Sequence, residues 1–183
     1  MRRKINVLMM SILLLSMAMV SYAQPYKGGV GVVAGTMEGV QGKLFLTPKL
    51  ALQADLAWKF GVYPFGYQGN FFSDYMSDFE LNPNLLYQSN IKEWGWGQLD
   101  WFAGGGLSLG CAFSGNGYGY GYAVVGKFGI NAIGGVELSL SKIPLAFAFD
   151  FRPGYGLLFD KDIAISYFDW AVTISARYCF GKK

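Results

Sequence analysis

Asp169-Trp170-Ala171-Val172-Thr173-Ile174-Ser175-Ala176-Arg177-Tyr178-Cys179-Phe180 alternates between two kinds of side chain. Trp170, Val172, Ile174, Ala176, Tyr178 and Phe180 fall on one face, and Asp169, Thr173, Ser175 and Arg177 on the other. Period-two alternation marks a β-strand whose faces meet different surroundings. The apolar face carries aromatics at both ends, as a strand crossing a bilayer does.

Seven earlier segments repeat the pattern, so strands are predicted near 26–34, 38–46, 50–60, 78–88, 97–110, 122–140, 145–155 and 168–180. In the third, Leu50, Leu52, Ala54, Leu56, Trp58 and Phe60 oppose Gln53, Asp55 and Lys59. In the seventh, Leu145, Phe147, Phe149 and Phe151 oppose Ala146, Ala148, Asp150 and Arg152. The apolar face carries no charge in any of the eight, and a single Arg or Lys at the lipid midplane costs about 2–4 kcal/mol. Short turns are expected at Thr47-Pro48-Lys49, Asn90-Ile91-Lys92-Glu93 and Ser141-Lys142-Ile143-Pro144, and longer loops at 61–77, 111–121 and 156–167. Outer-membrane barrels combine short periplasmic turns with longer outside loops, and an even strand number leaves both termini on the turn side.

Residues 1–23 read as a signal peptide. Arg2, Arg3 and Lys4 precede an apolar run from Val7 to Val20, and Ser21-Tyr22-Ala23 places small residues where a signal peptidase reads. The run is shorter than the ~20 residues of a spanning helix. Those three bases account for the whole net charge of +3, so the segment 24–183 is neutral and offers no basic patch for nucleic acid. It makes one domain. The chain is 52% hydrophobic and 17% aromatic, yet its apolar residues after position 23 are interleaved, which is the signature of a barrel and not of a helical bundle.

An eight-stranded barrel has an interior wide enough only for side chains or one small ligand. The many rings of the apolar face do not fit there, so that face points outward and the face rich in Gly, Ala and charge points in. The fold class is therefore all-β, an eight-stranded antiparallel up-and-down transmembrane β-barrel. Pro83, inside strand 4, predicts a bulge or irregularity because a closed barrel hides no missing N–H. Cys111 and Cys179 are expected too far apart to bridge.

The leader, the eight alternating segments and the aromatic final strand ending Arg177-Tyr178-Cys179-Phe180 resemble the small outer-membrane β-barrels of Gram-negative bacteria, the OmpA-barrel and OmpX-like group. Within it, Ile143-Pro144 and Asp150-Phe151-Arg152-Pro153-Gly154-Tyr155 are similar to small barrels of Bacteroidetes. The resemblance implies a monomer in the outer membrane, in contact with its lipid and lipopolysaccharide, and recognised during insertion by the barrel-assembly machinery through a terminal Phe. Phe180 fits that role, although Gly181-Lys182-Lys183 follow it. Barrel enzymes of this group rely on a His base, and this chain has no histidine. Neutral-pH proton transfer would fall to a carboxylate or lysine, and no metal-ligand spacing is visible. A non-enzymatic protein without cofactor or metal is expected.

Three sets of residues are candidates for function. Lys27, Lys43, Lys59, Lys127, Arg152 and Arg177 are assigned to the lumen with Asp55, Glu80, Asp100, Glu137 and Asp150, forming either an ion path or a paired plug. Hairpin geometry places Lys59 near Glu80, Lys43 near Asp55 and Arg152 near Asp169. Trp58, Trp101, Trp170, Tyr178 and Phe180 are assigned to aromatic girdles. Phe65, Tyr67, Phe71, Phe72, Tyr118 and Tyr120 lie in the long loops, where they either bind a partner or pack on the rim. Glu38, Asp74, Asp78, Asp160 and Asp162 are expected outside, and Lys49, Lys92, Lys142, Lys182 and Lys183 on the periplasmic side. The function expected is structural or adhesive, through the loops. The alternative is a narrow pore or conduit for small solutes.

Overall fold

Each alternating segment pairs with its neighbours in the chain, and the last pairs with the first. The computed structural model describes residues 26–61, 76–115, 122–159 and 164–181. The leader at 1–23 and the loop aromatics Phe65, Tyr67, Phe71, Phe72, Tyr118 and Tyr120 lie outside the described residues. The strands are β1 (Gly28–Gly35), β2 (Met37–Phe45), β3 (Leu50–Gly61), β4 (Met76–Trp94), β5 (Gly97–Gly115), β6 (Tyr122–Leu140), β7 (Leu145–Phe159) and β8 (Ala164–Phe180). They close into an antiparallel barrel in which β8 returns to β1. Hydrogen-bonded partners followed around the ring from Cys179 run through Gly29, Lys43, Gln53, Asn84, Gly106, Asn131 and Gly154 to Asp169. The path ends ten residues from its start. Eight strands with such a stagger tilt by about 35–45° and enclose a space that side chains alone fill.

The alternation in sequence becomes alternation in exposure. On β7, Phe147, Phe149 and Phe151 are 44%, 51% and 47% exposed, whereas Ala146, Ala148, Asp150 and Arg152 are buried. Inward glycines let neighbouring strands curl toward the axis. A Cβ on Gly106 would stand 1.9 Å from the Pro83 carbonyl oxygen, and one on Gly31 would stand 2.0 Å from that of Ala176. The two cysteines are free, Cys179 buried and Cys111 half-buried.

Pro83 brings the expected irregularity as a break in one ladder, without a bulge. Its pairing with β3 continues through Ala54, and the ladder to β5 opens after Leu81↔Leu109 and resumes at Asn84↔Gly106 in the same register. The carbonyl of Leu107, which stands opposite Pro83 in that register, accepts from the Asn131 side-chain amide (3.1 Å). A side chain thus supplies a donor where the imino ring has none. The register shift lies instead between Asn90 and Lys92. The extra residue, Ile91, carries β4 on to Trp94, so the turn sits at Gly95-Trp96 and not at 90–93. Parts of the expected loops are also strand: Cys111–Gly115 extends β5, and 156–159 pairs with 164–167.

The close approach at Gly106 is testable. Gly106→Ala is expected to cost about 1–3 kcal/mol through backbone displacement. Gly42→Ala, whose Cβ meets nothing within 4 Å, should stay within about 0.5 kcal/mol. Urea-unfolding midpoints of the detergent-refolded proteins measure both.

Candidate functional site

The inward side chains form an apolar seal interleaved with a charged network toward the turn end, where both described termini lie. The seal is apolar: Tyr26, Phe45, Leu86, Phe102 and Ile133 are buried among Ala51, Ala146, Ala148 and Cys179. Tyr26 packs edge-on against Phe45 with ring centroids 5.3 Å apart. Lys43 Nζ lies 5.2 Å and 5.0 Å from the ring centroids of Phe45 and Phe102, within cation–π range.

Among the seal residues, Glu137 of β6 accepts from Lys43 Nζ (2.8 Å), the Tyr26 hydroxyl (2.6 Å), Gln88 Nε2 (3.0 Å) and Arg177. Gln88 also accepts from Lys43 and donates to Asp100 (2.9 Å). Asp100 is held by amides alone, accepting further from Gln98 (2.7 Å) and Asn90 (3.2 Å). Arg177 donates to Gln41, whose amide donates to Asp55 (2.5 Å). Asp55 accepts from Arg152 Nη1 (2.7 Å), and Arg152 Nε also donates to Asp150 (2.5 Å). Charge and hydrogen bonds therefore run unbroken from Asp100 on β5 to Asp150 on β7.

A second cluster occupies the loop end. Lys127 Nζ donates to Asp78 (2.7 Å), Asp169 (2.9 Å) and Glu80, and Lys59 Nζ donates to Asp169 (2.7 Å). The three carboxylates bring ligand atoms within 4.8 Å of one another, close enough for a cation. The Lys127 ammonium already bonds all three, so a lysine does there what a metal would do. Between the clusters lies a void of about 20 Å³ lined by Met37, Lys59, Glu80, Asn82, Ser108, Asn131, Arg152, Asp169 and Ala171. It has room for roughly one water molecule.

Of the eleven charges assigned to the lumen from sequence, Lys43, Asp55, Lys59, Glu80, Asp100, Lys127, Glu137, Asp150, Arg152 and Arg177 are buried inside. Lys27 is exposed. It precedes β1, where the chain bends and Tyr26 takes the inward place. Asp78, expected on the outer rim, is fully buried against Lys127, because β4 begins at Met76 and Asp78 shares the inward parity of Glu80 and Asn82. The pairings also differ: Lys59 meets Asp169 and not Glu80, Lys43 meets Glu137 and not Asp55, and Arg152 meets Asp55 and Asp150. Strand tilt and stagger bring residues together across the lumen, whereas pairing along flat hairpins considers only adjacent strands.

The girdle residues face outward. Trp58 stacks on Phe113 toward the loop end (centroids 5.5 Å apart, 13° between planes). Trp101 meets Tyr87 at the turn end (5.7 Å). Trp170, Tyr178 and Phe180 are 49%, 57% and 44% exposed. Sequence reading missed the stacked pair Trp94 and Trp96 and the inward Phe45, Leu86 and Phe102. Parity with Lys43, Gln88 and Asp100 was the signal that marks those three as lumenal.

The arrangement defines a class of protein, the eight-stranded up-and-down β-barrel with a polar, filled interior and an apolar outer belt. Among solved structures, the chain is similar to the crystal structure of Neisserial surface protein A, with a TM-score of 0.56 over 84% of this chain and 93% of that one, at 11% sequence identity. At that identity the likeness is one of fold. No protein-family model matches the chain, and no curated protein does.

Removing Glu137 strands Lys43 and Arg177 in a buried site. Glu137→Leu is expected to cost about 3–5 kcal/mol. The triple variant Lys43→Met/Glu137→Leu/Arg177→Met, which strands neither cation, should recover a large part of that loss. Urea titration followed by tryptophan fluorescence measures both.

Proposed function

We propose that this chain is a monomeric outer-membrane β-barrel that crosses the bilayer with a closed lumen. It acts without catalysis, as a structural or surface-interaction protein through the loops at 61–77, 111–121 and 156–167. The observation that carries the reading is the filled interior beneath an apolar outer belt. Val32, Ile130, Phe149, Ile174 and Tyr178 are each more than half exposed, and they belong to a belt encircling the barrel. Soluble monomers rarely expose contiguous apolar patches beyond a few hundred Å², whereas lipid is the solvent such a belt requires.

The lumen supports closure over conduction. Among the described residues, a void of about 20 Å³ between paired charges, with Tyr26, Phe45, Leu86 and Phe102 packed in the lumen toward the turn end, is too small for a hydrated ion. The absence of histidine weighs against the acid–base chemistry of barrel hydrolases. The leader read at 1–23 supports export. Lipopolysaccharide on the loop side and the assembly machinery at the aromatic C-terminal strand are the partners this location implies. In the loops, Phe65, Tyr67, Phe71, Phe72, Tyr118 and Tyr120 supply the aromatic surface that dominates contact energies.

Single-channel recording of refolded protein in a planar bilayer tests closure, and a silent bilayer is expected from protein whose gel mobility changes on boiling. Discrete conductance steps, altered by Glu80→Gln, would overturn the closed lumen. The belt is tested at Phe149, whose strand neighbours are Val136 and Ile174. Phe149→Arg should cost about 2–4 kcal/mol and prevent insertion into vesicles. Normal insertion of that variant would place the face elsewhere than in lipid.

A further inference from the structure

The three described turns at the turn end share one composition that the closed-lumen reading does not use. Leu46 (54% exposed) accompanies Lys49, Ile91 and Trp96 (both 52%) accompany Lys92, and Ile143 (46%) accompanies Lys142. Each turn thus presents an apolar anchor beside one lysine. Two of the ammonium groups lie over outward rings: Lys49 Nζ is 6.0 Å from the Tyr87 centroid, and Lys92 Nζ is 5.4 Å from that of Trp94. Those rings continue into Trp101 and Trp96. A lysine stem along an interfacial ring, with its head beyond it, is the posture of a snorkelling side chain.

The bulge at Ile91 makes this posture possible for Lys92. Up to Asn90, the even-numbered residues of β4 face the lumen, as Gln88 does. Without the shift Lys92 would follow them inward. With it, Lys92 pairs with outward Leu99 and lies over Trp94. Bulges at barrel rims commonly re-aim a side chain in this way. Exposed Lys27 adds a fourth cation at this end, and Glu93 is the one carboxylate among the described turn residues.

We propose that the turn end is a collar for anionic phospholipid headgroups, bound by Lys49, Lys92 and Lys142 from the level of the aromatic ring. The proposal rests on the membrane reading above and adds the lipid that one face of the barrel selects. The apolar anchors hold the turns at the interface, and the lysines meet phosphodiester charge there. Each lysine near an anionic surface contributes roughly fivefold to partition.

The test reads the lipid directly beside the collar. In a Trp58→Phe/Trp170→Phe background, the remaining tryptophans, Trp94, Trp96 and Trp101, all lie at the turn end. The protein is inserted into phosphatidylcholine vesicles containing equal mole fractions of brominated phosphatidylglycerol or brominated phosphatidylcholine. Stronger quenching by the brominated phosphatidylglycerol is expected. That preference should fall several-fold at about 0.5 M salt and in Lys49→Gln/Lys92→Gln/Lys142→Gln, and it should return with arginine at the same positions. Equal quenching by the two lipids, or an undiminished preference in the glutamine variant, overturns the collar. Heat-dependent gel mobility reports insertion separately: without it the membrane reading fails and the collar with it, and with it the quenching result judges the collar alone.

Discussion

The pairing of β8 with β1 is the constraint on which the rest of this structure depends. Eight residues of β1, from Gly28 to Gly35, are matched to Phe180 through Thr173, and this contact removes the two edges that an eight-stranded sheet otherwise leaves open. In lipid, each unpaired N–H or C=O costs several kcal/mol, so closure there is a requirement. β1 reads Gly-Gly-Val-Gly-Val-Val-Ala-Gly and brings few side chains to the joint. The backbone itself closes the ring, and Gly31 lets the Ala176 carbonyl approach.

Closure with a ten-residue stagger fixes the interior volume, and the interior chemistry follows from that volume. A cross-section this narrow does not hold a water column beside its side chains, so the charges placed inside must satisfy one another. Lys127 answers three carboxylates, and Glu137 answers Lys43 and Arg177. Buried ion pairs add little net stability against well-packed apolar residues. Their contribution here is to register. A one-residue slip in β3, β7 or β8 turns inward charges to the outer face and outward rings to the lumen. The penalty is severe on both faces, so a network of modest net energy selects one alignment of eight strands.

The face of most strand residues was legible in sequence, because period two survives folding wherever no bulge or bend intervenes. The ten buried lumenal charges and the outward rings of β3, β7 and β8 could be read that way. Partners could not. Lys59 meets Asp169, which lies 110 positions away in the chain, and this contact depends on the stagger, a property of the closed ring that no hairpin contains. Strand ends were equally opaque. The segment from Gly156 to Phe159 was expected to be loop, yet continues the ladder. The inward Phe45, Leu86 and Phe102 were hidden by the assumption that every bulky apolar residue faces lipid. A closed lumen needs an apolar seal as well as a charged filling.

The two ends of the barrel differ in what they present. At the turn end, rings and polar side chains share the lumen, and lysines lie over outward aromatics. At the loop end, the lumen finishes in the charged cluster of Lys127, Lys59, Asp78, Glu80 and Asp169. β4, β5 and β6 run to 19 residues against 8 and 9 for β1 and β2. A strand crossing a bilayer needs about 9–11 residues, a length that β1 and β2 scarcely meet and those three strands exceed. The wall is therefore tall on one side and low on the other.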